Sequence, residues 1–131
     1  MRFELIDRVI ERDADRIVAV KALSAAEEYL QDHFPTFAVM PGVLMLEAMV
    51  QAARRLLEGH GEAPWTLAEV RNVRYGNMVR PGGVLNVTVE RLKVDRDLHT
   101  FKGVGTVEGE PAVQGRFMMR PVQRRASHKP D

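Results

Sequence analysis

Residues 32–51 read DHFPTFAVMPGVLMLEAMVQ, and the second half of that stretch decides the fold. From Pro41 onward, Val43, Leu44, Met45, Leu46, Ala48, Met49, Val50, Ala52 and Ala53 cover almost the whole circumference of a helix that ends near Gly59. A helix that is apolar on every side belongs in the centre of a fold. Pro41 suits its first turn, where the missing N–H would have had no partner, and the glycines of EGHG supply the stop. Glu47 and Gln51 interrupt the pattern. They are the only polar side chains between Val43 and Ala53, and four residues apart they share one face.

Strand patterns flank this helix on both sides. Residues 3–10 alternate Phe3, Leu5 and Val9 with charged neighbours, residues 16–23 (RIVAVKAL) are β-branched and apolar, and Asp13-Ala14-Asp15 supplies turn chemistry, which predicts a hairpin. Ser24 and Glu27 have the spacing of a capping box and predict a short helix within SAAEEYLQ. Beyond Pro64, strands are expected at 65–75, 83–94, 98–107 and 112–120, with breaks at RPGG, VDRD and EGEP. Leu85, Val87 and Val89 alternate with polar residues, but Leu92 and Val94 fall on the opposite parity, which places a bulge near Arg91. Two strands, one buried helix and four more strands predict an α+β fold in which a mostly antiparallel sheet curls around a single helix.

The 131 residues, 45% apolar and 28% charged, suit one compact domain, read as residues 1–120, with a flexible basic tail at 121–131. With 19 basic against 18 acidic side chains, bulk nucleic-acid binding is not implied. The chain has no cysteine, which excludes a disulfide framework, a thiolate metal site and a cysteine nucleophile, and suits a cytoplasmic location. MRFELIDRVIERD carries charges throughout, unlike a signal peptide, and the apolar run from Phe37 to Ala53 is interrupted and too short for a bilayer span.

Several chemistries are poorly supported. His33, His60, His99 and His128 are scattered, with no metal-ligand spacing, so no metal is expected. The serines are Ser24 and Ser127, and there is no G-x-S-x-G elbow. Gly103 and Gly105 lack the third glycine of a dinucleotide fingerprint and read instead as a kink or a close approach in a strand.

The opening stretch does carry chemistry. On a helix buried on all sides, the Glu47 carboxyl would be harder to ionise and could serve as a general acid. The plainer alternative turns Glu47 towards solvent or pairs it with Arg54 or Arg55. His33 alone would be a structural loop residue, but it lies within fifteen residues of Glu47 and of MPGV, where the first N–H groups of the helix lack partners and its dipole favours negative charge. A base, an acid and an oxyanion site suit removal of a proton α to a carbonyl with loss of a β-hydroxyl.

These residues carry a resemblance. HFPTFAVMPGVLMLEAMVQ is similar to the signature of the β-hydroxyacyl-acyl carrier protein dehydratases of the hot-dog fold, with histidine in G-H-F-P, then V-M-P-G-V, then E-A-M-x-Q on the central helix. RFELIDRVIE, RIVAVKALSAAEEYLQ and VRYGNMVRPGGVL resemble other segments of that family, so the similarity covers roughly residues 2–120. The chain departs from the pattern at Asp32, Thr36 and Ala38 around the histidine, and at Gly83 in place of the aspartate of P-G-D.

The resemblance implies a hot-dog fold, an antiparallel sheet wrapped around one long central helix. It makes His33 the base that takes the α-proton and Glu47 the residue that assists departure of the hydroxyl as water. The Gly42 N–H would bind the thioester oxygen, and Gln51 would orient Glu47. An acyl tunnel beside the helix is implied too, for which Phe37, Met40, Val43, Met45, Met49, Trp65 and Phe101 are candidates, although apolar residues on a central helix are more often core.

No cofactor is implied beyond the phosphopantetheine arm of the acyl carrier protein, the expected partner, which Arg71, Arg74 or Arg80 could steer to the tunnel mouth. The family pattern is a homodimer in which the histidine and glutamate of one site come from different subunits, alone or as a trimer of dimers. The alternatives are a thioesterase on the same fold and a non-catalytic subunit that binds the acyl carrier.

Overall fold

A computed structural model describes residues 4–23, 40–58 and 64–122 of the chain. The hairpin comes first, with β1 (Arg8–Arg12) antiparallel to β2 (Arg16–Ala22). Asp13 builds its turn, because one carboxylate oxygen accepts the N–H groups of both Asp15 and Arg16 at 2.9 Å. β1 begins at Arg8 rather than at residue 3. Leu5 and Ile6 are buried but outside the strand, and the Leu5 N–H donates to the Gln51 side chain of the helix at 2.8 Å.

The helix α1 (Gly42–Leu57) is followed by β3 (Trp65–Tyr75), β4 (Val84–Asp95), β5 (Leu98–Val107) and β6 (Glu110–Pro121), within two residues of the expected bounds. Among the described residues the strands form one six-stranded antiparallel sheet in the order β1-β2-β4-β5-β6-β3, leaving β1 and β3 at its edges. The bulge near Arg91 is present as a register shift between Arg91 and Lys93, and it leaves Leu92 and Val94 exposed. The β5–β6 turn at Glu108 and Gly109 has positive φ at both residues, 51° and 80°, which matches the twist of the hairpin. The capping pair Ser24 and Glu27, and the chain beyond Val122, lie outside the described residues.

Packing of the helix on the sheet follows from spacing. Met45, Met49, Ala52 and Leu56 form one buried stripe at helical intervals. Opposite them the sheet buries Ile17, Leu85, Val87, Phe101, Phe117 and Met119, with Phe101 and Phe117 stacked at a ring separation of 5.5 Å. Gly103 permits the close approach, since a Cβ there would fall 2.6 Å from the Met49 sulfur. The expectation of a close approach at this glycine therefore holds.

Candidate active site

Pro41 caps α1 in an extended conformation (φ −60°, ψ 143°), without a side-chain cap hydrogen bond among the described residues, and the first turn has no acidic residue. The N–H groups of Leu44 and Met45 both donate to the Pro41 carbonyl, at 3.0 and 3.2 Å. Those of Gly42 and Val43 have no acceptor among the described residues, so two donors remain at the positive end of a sixteen-residue helix. The Tyr75 ring, at the end of β3, packs on Gly42 so closely that a Cβ would lie 2.9 Å from its Cε1. A side chain at position 42 would have to displace the Tyr75 ring.

Glu47 lies five residues further on, about 7.5 Å along the axis. It sits two positions, or about 200°, around the helix from the Met45 stripe and so faces away from the sheet. Its side chain is 40% exposed, which corrects the expectation that the helix buries it. The plainer alternative is realised in part, because Arg54 Nη1 lies 3.5 Å from Glu47 Oε2. Gln51 Nε2 donates to the same oxygen at 3.3 Å, while Gln51 Oε1 accepts the Leu5 N–H. Arg54 Nε also donates to the Trp65 carbonyl at 3.2 Å, tying the cluster to edge strand β3. Glu47, Gln51 and Arg54 stand at i, i+4 and i+7, the spacing of one helix face, and that spacing was the signal available for Arg54.

The other candidates divide. His33 and Phe37 lie outside the described residues. Met40, Met45, Met49 and Phe101 are buried in the core cluster, and Trp65 packs against it, with its ring roughly perpendicular to that of His99 at a centroid separation of 4.7 Å. Val43 is a surface residue, 67% exposed. Arg71 and Arg74 stand directly opposite Arg116 and Gln114 of β6. Those two residues alternate with the buried Val113 and Phe117, so both arginines occupy the outer face of the sheet, away from α1 and Glu47. Their expected place beside a tunnel mouth is therefore corrected. A groove of about 650 Å³ runs between residues 76–83 and the β5–β6 turn, and neither Glu47 nor Gln51 lines it.

Among the described residues, no group of three or more histidine, cysteine or carboxylate side chains could hold a metal ion, and no helix is long and apolar enough to cross a membrane. The site's own parts can donate hydrogen bonds to an oxygen at the start of α1 and exchange a proton at Glu47.

Comparison with known proteins agrees. Residues 1–116 match the FabA-like domain family. The chain is 40% identical over 124 residues to the 3-hydroxyacyl-[acyl-carrier-protein] dehydratase FabZ of Coxiella burnetii (strain RSA 331 / Henzerling II), covering 88% of this chain and 87% of that protein. To the FabZ of Magnetococcus marinus it is 38% identical, over 97% and 87% of the two chains. Among solved structures, the dehydratase heterocomplex ApeI:P of Xenorhabdus doucetiae superposes with a TM-score of 0.75 at 21% identity, covering 92% of this chain and 84% of that one. A mutant form of the fluoroacetyl-CoA-specific thioesterase FlK superposes with a TM-score of 0.71 at 17% identity, covering 86% and 88%. At those identities the two structures establish the hot-dog fold and nothing finer.

Proposed function

This chain belongs to the FabA-like domain family, and from that premise we infer that it is a 3-hydroxyacyl-[acyl-carrier-protein] dehydratase. It removes water from a (3R)-3-hydroxyacyl thioester to give the trans-2-enoyl thioester, in fatty acid or related polyketide biosynthesis. The observation that carries the reading is Glu47 itself: a carboxylate held through one oxygen by Gln51 and Arg54, about a turn and a half from the Gly42 and Val43 N–H groups, which have no acceptor among the described residues.

In this reaction the thioester oxygen accepts the Gly42 N–H, and charge that develops on it as the α-proton leaves is stabilised there. His33 takes that proton. The electron pair of the broken Cα–H bond forms the new double bond to Cβ, and the Cβ–O bond breaks. Glu47 gives its proton to the departing hydroxyl, which leaves as water. Passage of the proton from the His33 imidazolium to the Glu47 carboxylate restores the starting state.

The 40% exposure of Glu47 supports a site completed from outside the chain. A homodimer that lays His33 of a second chain over the Glu47 face would close it and exclude water. The substrate arrives on the phosphopantetheine arm of an acyl carrier protein, no further cofactor takes part, and the enzyme works in the cytoplasm as a single domain over residues 1–120. Incubation of the purified protein with 3-hydroxyacyl-carrier thioesters of several lengths tests the reading by mass. Loss of one water with the thioester intact is expected, and no conversion at any chain length, or release of the free acid, contradicts it.

A further inference from the structure

Glu47 has two carboxylate oxygens, and its described partners use only one. Gln51 Nε2 and Arg54 Nη1 both point at Oε2, at 3.3 and 3.5 Å, while Oε1 has no partner among the described residues. Each donor is fixed by a second contact. The Leu5 N–H requires an acceptor, so it sets the Gln51 oxygen towards Leu5 and the amide nitrogen towards Glu47. The guanidinium of Arg54 is planar, and its Nε is occupied by the Trp65 carbonyl, which holds Nη1 at the carboxylate. Glu47 is thus clamped between the segment that precedes β1 and the first residue of β3.

We propose that Arg54 is a positioning residue for the dehydration, and that Glu47 Oε1 is the oxygen that carries the transferred proton. This rests on the function inferred above. Two N–H donors on Oε2 draw the carboxyl's negative charge to that atom, so in the acid form the proton resides on Oε1. When Oε1 gives this proton to the hydroxyl and the Cβ–O bond breaks, the new carboxylate charge is met by Arg54 and Gln51. That stabilisation grows in the transition state, so its loss lowers kcat more than it raises KM. Lysine offers one nitrogen in place of the two, Nε and Nη1, that reach Trp65 and Glu47, and lacks the planar fork that fixes their relative positions.

Steady-state kinetics on the full chain, with a 3-hydroxyacyl-carrier thioester that the unsubstituted protein converts, provide the test. Arg54→Ala should lower kcat by about ten- to a hundredfold, the scale of one charge-assisted hydrogen bond, with KM within about threefold. Arg54→Lys should fall between, and both variants should keep the unfolding midpoint close to that of the parent. A kcat within twofold in Arg54→Ala, or a change in KM alone, overturns the inference. An unsubstituted protein that converts no substrate overturns the inferred function and this inference with it. Conversion by the parent, with equal conversion by Arg54→Ala, overturns this inference only.

Discussion

The backbone N–H of Leu5 donates to the side-chain oxygen of Gln51 across 46 residues of sequence, at 2.8 Å. The chain's first described segment thereby orients the amide that holds the Glu47 carboxylate. Gln51→Glu keeps an acceptor for Leu5 but replaces the donor that faces Glu47 with a second carboxylate oxygen. The expected loss in kcat is at least about tenfold, with the native circular dichroism spectrum retained. Full activity in Gln51→Glu would remove Gln51 from the site.

The contact between Tyr75 and Gly42 makes a prediction about stability. In Gly42→Ala the added methyl meets the Tyr75 ring at 2.9 Å, and because Tyr75 is half exposed the ring can yield, so the cost should be about 1 kcal/mol. Tyr75→Ala removes the obstacle. In that background Gly42→Ala should cost close to nothing, read by urea denaturation of all four proteins, and an equal cost in both backgrounds would contradict the packing.

Most of the fold was legible because alternation is a local signal. β3 and β5 occupy the expected residues, and the parity change at Leu92 located the bulge. The start of β1 was not, since Leu5 and Ile6 are as apolar as strand residues but are buried outside the ladder. Periodicity cannot tell burial in a sheet from burial against a helix.

The candidate site was legible in its identities and misread in its burial. The helix pattern is apolar all round, which implied a hidden Glu47, yet Val43 is 67% exposed and the Glu47 side chain 40%. Among the described residues, the buried side of α1 is the face that meets the sheet. Arg54 could be found from its spacing, but its bond to the Trp65 carbonyl could not, because that depends on where β3 begins relative to the last turns of the helix. Arg71 and Arg74 were misplaced for a related reason. Their side of the sheet is set by a register that shifts between them.

A dehydratase site shared between His33 of one chain and Glu47 of another is the central proposal, and mixing two inactive variants tests it most directly. His33→Ala and Glu47→Gln, each without activity alone, should regain enoyl-thioester formation when refolded together, since a mixed dimer holds one intact pair. Mixed dimers that form and yet release no enoyl product would contradict the shared site.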